Sequence, residues 1–193
     1  PADAGSFTVR SAKGSNLYLA ARSGATSGSR LVVTDSPGSA LAFTFAQTTY
    51  AQTTGISELD VKADNILNFV GRDGDVLNKS FWYVVNNYSY RSGSLWPTGN
   101  WAPPLALEMI NTGSGNCYRY AALFCVLAQR SGYDARVVAG YGQRTDGGWN
   151  AHAWVVVRIN GVDYVCDPEG QHASRAYNFY LMSNPNYPFV RRL

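Results

Sequence analysis

Three side chains in this sequence could together form a nucleophilic thiol centre: Cys117, His152 and Asp167. Cys117 ends a glycine-bearing run that starts at Asn111, and it opens an apolar helical pattern from Tyr118 to Arg130 that stops at Gly132. A cysteine at a helix N-terminus faces unpaired backbone N–H groups and the positive end of the helix dipole, which favour a thiolate. The same N–H groups can receive the charge that develops on a carbonyl oxygen under attack. Gly113 and Gly115 just before it let a substrate backbone come close.

The other two residues need a scaffold that brings them to the cysteine. Tyr133 to Tyr141 reads as a strand, Gln143 to Gly148 as a turn, and Trp149 to Arg158 as a strand rich in β-branched and aromatic residues. Alternation puts His152, Trp154 and Val156 on one face. Asn160-Gly161 is a hairpin signal, and the returning run from Val162 to Pro168 brings Asp167 back toward His152. A two-residue loop would pair Ile159 with Val162, place His152 opposite Glu169 and leave Asp167 as its diagonal neighbour. A four-residue loop would pair Val157 with Val162 and put Asp167 directly across from His152. Both registers keep the two side chains near each other, and direct adjacency is the expectation.

Four ordered motifs, Gly115-Asn116-Cys117 with its helix, the run from Tyr133 to Tyr141, His152-Ala153-Trp154 and Asp167-Pro168, resemble the transglutaminase-like superfamily of papain-like thiol enzymes. The resemblance spans roughly Val61 to Asp167. It implies an α+β, papain-like core in which N-terminal helices, including the nucleophile helix, pack on an antiparallel sheet. It also implies a catalytic triad: Cys117 attacks a carbonyl, His152 activates the thiol and protonates the leaving amine, and Asp167 fixes the imidazole tautomer. The implied reaction is acyl transfer from an amide through a thioester, with no metal and no organic cofactor. Its acceptor is water in a peptidase or amidase and an amine in a cross-linking enzyme. Protein or peptide substrates, cell-wall peptide among them, and a secreted or surface-attached setting follow from the same resemblance. The competing expectation is a retired thiol-enzyme fold that binds a peptide or the cell wall.

Further candidates for substrate or oxyanion contact are Asn116, directly before the nucleophile, and Trp96, Trp101 and Trp154. The two former tryptophans fall in a loop from Arg91 to Pro104 that is dense in Gly, Pro and Ser and either lines the cleft or packs on the domain. Cys125, two turns along the nucleophile helix, reads as core, and Cys166 reads as packed in an apolar strand. His172 reads as a solvated side chain. Arg136 either contacts substrate or braces its strand through an ion pair.

The rest of the chain supplies context. Ser57, with Asp60 three residues on, reads as the cap of an amphipathic helix ending at Gly71, and Asp75 to Asn86 as a second helix. Residues 56–193 are thus the expected catalytic domain. Residues 1–50 alternate short β-type runs with Gly/Ser turns: Phe7 to Val9, Leu17 to Leu19, Leu31 to Val33 and Ala42 to Phe45. This segment resembles one repeat of a ricin-type β-trefoil, without the repeat's closing glutamine and tryptophan. A trefoil needs three repeats to bury its core, so a structural attachment is expected, with carbohydrate contact as the alternative it raises.

Apolar residues make up 46% of the 193 and charged ones 15%, a globular balance. The net charge of +3 is dispersed, with Arg191-Arg192 as its one adjacent basic pair, so nucleic acid is not an expected partner. No window approaches the roughly 20 apolar residues of a membrane span, and the first residues lack the features of a signal peptide. The expectation is a soluble chain whose upstream sequence, with any export signal, has been removed. The three cysteines are odd in number and lack metal-ligand spacing, which argues against both a disulfide framework and a zinc site.

Overall fold

The structure is a computed structural model, which describes residues 53–93, 97–144 and 146–183 in full and the backbone of strands at 6–8, 18–21, 31–34, 42–44 and 189–191. The chain divides into two compact units, Pro1–Thr48 and Thr49–Leu193. In the first unit, β1 (Ser6–Thr8) pairs antiparallel with β4 (Ala42–Thr44), and β2 (Tyr18–Ala21) with β3 (Leu31–Thr34). The side chains of this unit, on which the carbohydrate expectation rests, lie outside the described residues.

The second unit places helices before a sheet. Helix α1 (Ser57–Val70) ends at Gly71, whose φ of 84° suits glycine. Its N-cap is Ile56, and Asp60 accepts hydrogen bonds from the backbone N–H (3.1 Å) and hydroxyl (2.9 Å) of Thr54. The cap expected at Ser57 is thereby replaced by a link from Asp60 to the chain before the helix. Asp75 caps α2 (Val76–Asn87) by accepting from the Asn78 N–H.

Helix α3 (Ala102–Thr112) was not expected from the sequence. Pro103 and Pro104 suggest a loop, yet in a first helical turn the missing N–H groups have no intrahelical partner to lose. Helix α4 (Cys117–Arg130) runs through the core with Tyr120, Leu123, Phe124 and Leu127 fully buried. Arg130, at its far end, binds Asp60 and Asp64 of α1 at 2.7 and 2.6 Å, so the helix is anchored by ion pairs at the end opposite Cys117.

Five strands form one sheet in the order β10-β9-β8-β7-β11, with every neighbouring pair antiparallel. They are β7 (Asp134–Gln143), β8 (Trp149–Ile159), β9 (Val162–Cys166), β10 (Met182–Ser183) and β11 (Phe189–Arg191). Ala153, Val155 and Val157 pack in the main core with α4, whereas Trp154, Val156, Val138 and Val165 form a separate apolar cluster with Phe179 and Met182. Helix α5 (Pro168–Ala173) follows β9 directly. A short parallel pairing of β5 (Ser89–Tyr90) with β6 (Ser114–Gly115) ties the end of α2 to the approach of α4. This is the α+β order expected, helices followed by an antiparallel sheet.

Candidate active site

Cys117 is the first residue of α4. It is 7% exposed, so its thiol lies just beneath the surface. Cys117 thus stands where the leading N–H groups of a helix are exposed, and the carbonyl of Asn116 accepts from the N–H groups of Arg119 and Tyr120 to close the first turn.

His152 arrives on β8. The β8–β9 hairpin turns on Asn160 and Gly161, both with positive φ, and pairs Ile159 with Val162, which is the two-residue register. Val155 therefore pairs with Cys166, and Asp167 is the next residue beyond β9. Direct opposition of Asp167 and His152 is not realised, but their side chains meet: Nε2 of His152 lies 2.9 Å from Oδ2 of Asp167. Because a carboxylate accepts, Nε2 carries the hydrogen and Nδ1 is left as the nitrogen for proton exchange with a thiol.

Asp167 is 1% exposed and has a second task as the N-cap of α5, its Oδ1 accepting from the Gly170 N–H at 3.0 Å. A side chain at Gly170 would drive its Cβ into the Asp167 carboxylate. The aspartate is therefore fixed by local helix geometry before it meets the histidine.

Burial alone would lower the proton affinity of His152. The negative charge and hydrogen bond of Asp167 outweigh it, assisted by Cys117, which acts on the ring as hydrogen-bond partner and charge, and the pKa is raised well above the ordinary histidine value. His152 thus favours the imidazolium form, with Asp167 on one side and Cys117 on the other. Trp154 stacks on the ring at 6.4 Å between centroids.

The remaining sequence candidates fall elsewhere. Asn116 is 2% exposed; its Nδ2 donates to the Gly93 carbonyl at 3.1 Å and its Oδ1 accepts from Arg119 at 3.1 Å. One hydrogen of its amide and its side-chain oxygen thus tie the residue before the nucleophile to the Gly93 segment and to Arg119. Trp154 is 4% exposed, packed in the second apolar cluster and stacked on His152. Trp101 is half-buried, edge-on to Tyr118 at 5.7 Å. Trp96 lies outside the described residues. Cys125 and Cys166 are buried, and burial pushes both thiols up to about 12. Arg136 braces its strand, 2.6 Å from Asp163 of β9. His172 is not solvated: its Nδ1 donates to the Val85 carbonyl at 2.9 Å and its ring packs on Tyr120.

Two features were not singled out from the sequence. One is a clamp behind the nucleophile, in which Arg119 binds both carboxylate oxygens of Glu108 at 2.8 and 2.9 Å while holding Asn116. The glycine before Asn116 was the available signal, since a Cβ on Gly115 would sit 2.6 Å from the Cβ of Arg119 and 2.7 Å from the sulfur of Met109. The other is Glu169, whose Oε2 lies 3.8 Å from Nδ1 of His152. His152, Asp167 and Glu169 offer ligand-type atoms within 4.8 Å of one another.

Comparison with known proteins agrees with this geometry at the level of family. The family model described as the transglutaminase-like superfamily matches residues 62–168, more than half of the chain and a span that holds all three site residues. No curated protein matches. Among solved structures, the periplasmic domain of TgpA from Pseudomonas aeruginosa is 24% identical with a TM-score of 0.42, covering 60% of this chain and 43% of that one. A protein of Cytophaga hutchinsonii described as a candidate cysteine protease is 18% identical at 0.42, covering 67% and 41%. The arylamine N-acetyltransferase of Mycobacterium abscessus is 19% identical at 0.37, covering 74% and 50%. The chain thus spans half or less of the length of each of these proteins. By the match of its helix, sheet and site region, the chain belongs to the transglutaminase-like superfamily, a thiol-enzyme fold.

Proposed function

We propose that the protein is a cysteine enzyme that transfers or hydrolyses the acyl group of an amide through a thioester on Cys117. One observation carries this reading: His152 interacts with Cys117 and with Asp167, the latter at 2.9 Å, so a nucleophile, a base and an orienting carboxylate stand in series.

The Cys117 thiolate attacks the amide carbonyl, forming the C–S bond, and the oxygen takes up charge toward the N–H groups at the start of α4. His152 delivers its Nδ1 proton to the departing amine as the C–N bond breaks. Water or an incoming amine then attacks the thioester, gives its proton to Nδ1, and sulfur leaves as thiolate. Asp167 keeps Nε2 protonated throughout. The proposed substrates are proteins or peptides, cell-wall peptide among them, in a secreted or surface setting; this part rests on the family resemblance. Among the described residues no helix is long and apolar enough to cross a membrane.

The test is to trap the thioester. Incubation with p-nitrophenyl acetate should release p-nitrophenolate in a burst and add one acetyl group at Cys117 by peptide mass mapping, with no addition in Cys117→Ser. Acetylation spread over surface lysines with Cys117 unmodified would overturn the proposal.

A further inference from the structure

Glu169 is a carboxylate at the site that the acyl-transfer steps do not use. It lies in the first turn of α5, its side chain is 16% exposed, and its Oε2 is 3.8 Å from Nδ1 of His152. Other partly buried carboxylates of this unit are matched by arginine: Glu108 by Arg119, Asp64 by Arg72 and Arg130, and Asp163 by Arg136 and Arg158. Among the described residues no arginine or lysine pairs with Glu169, and its ion-pair partner is the His152 imidazole.

The groups facing it are Asp167, His152 and His172, and its charge reaches the hydroxyls of Tyr90 and Tyr120. Burial and the Asp167 charge raise its proton affinity against the opposing pull of the two histidines. An acid held in this way adds no evident stability to the fold. Unfavourable placements of this kind concentrate where function needs them.

Its position states the need. Nδ1 is the atom that exchanges protons with the substrate nitrogen, so a carboxylate 3.8 Å from it borders the path of the scissile amide. Tyr90, half-exposed and within electrostatic reach of both Glu169 and Cys117, adds an aromatic surface suited to a cation. Building on the acyl-transfer reading, we propose that Glu169 is a specificity residue that receives a positively charged group of the substrate, an ammonium carried within a few bonds of the scissile amide.

The test measures charge preference at Cys117 without needing the natural substrate. Rates of Cys117 modification are compared for cationic 2-(trimethylammonium)ethyl methanethiosulfonate and neutral methyl methanethiosulfonate, with the modified residue located by mass spectrometry. A unit charge held near Glu169 in a partly solvated site should raise the cationic-to-neutral rate ratio about tenfold over a small free thiol. Glu169→Gln should bring the ratio close to that of the free thiol, and Glu169→Asp should keep much of the preference. An unchanged ratio in Glu169→Gln, or equal loss with both reagents, overturns the assignment. Failure of the acyl-transfer reading shows separately, as slow reaction with the neutral reagent that His152→Ala does not alter.

Discussion

His152 and Asp167 are hydrogen-bonded at 2.9 Å although they are not partners across the hairpin, where Asp167 follows the residue that pairs with Val155. The contact is a diagonal one. It depends on Asp167 leaving the strand to cap α5, which fixes the carboxylate by a bond from the Gly170 N–H. Asp167 is therefore both a helix cap and the anchor of the imidazole.

These two tasks can be separated. Asparagine caps helices about as well as aspartate, so Asp167→Asn should be about 1 kcal/mol more stable than Asp167→Ala, while both lose the buried pairing with His152. The same change removes the charge that holds the His152 tautomer and should lower kcat/KM by roughly a thousandfold or more. Asp167→Ala should lose both, with about 1 kcal/mol of capping gone besides. Urea titrations and steady-state rates on the two variants check this, and equal stability loss in both would refute the division.

The pH dependence of stability follows from His152. Its folded pKa is raised above the unfolded value, so its contribution is fully present below about pH 6.5 and is lost as pH rises through the folded value. The stability difference between wild type and His152→Gln should therefore shrink on the alkaline side. Thermal melts of both proteins from pH 5 to pH 10 test the sign, and a gap that widens with pH would contradict it.

Gly115 makes room for the clamp that holds Asn116. An added methyl group would meet Arg119 and Met109 at 2.5 to 2.7 Å, and Arg119 is tied to Glu108 and Asn116. Gly115→Ala should cost about 1–3 kcal/mol as the arginine is displaced. It should also slow acyl transfer with little change in KM, because Asn116 is the residue peptide-bonded to the nucleophile. Denaturant melts together with separate kcat and KM values distinguish this from simple loss of folded protein.

Much of this site was legible in the chain, for physical reasons that also mark the limits. The helix opened by Cys117 showed in its apolar periodicity, and Asn160-Gly161 announced the hairpin that returns Asp167 toward His152. Periodicity left the loop length open, and one register or the other had to be chosen by packing. It also placed Glu169 opposite His152 in the two-residue register, yet its approach to Nδ1 required the chain to coil into α5 after Asp167. Pairing of Arg119 with Glu108 depends on how α3 meets α4, and α3 itself was hidden by its two prolines. His172 appeared solvated because its acceptor, the Val85 carbonyl, lies 87 residues away in sequence.

The central claim is that His152 activates Cys117, and alkylation by iodoacetamide across pH tests it most directly, with the modified residue identified by mass spectrometry. In the wild type Cys117 should be modified selectively at pH 6, where an ordinary thiol is almost wholly protonated. Cys125 and Cys166 should stay unreacted until the protein unfolds, because they are 1% and 0% exposed against 7% for Cys117. His152→Ala should slow the pH 6 reaction at least about tenfold and approach the wild-type rate near pH 9. A Cys117 that reacts with the same pH profile in both proteins, or that stays inert until unfolding, would contradict the account.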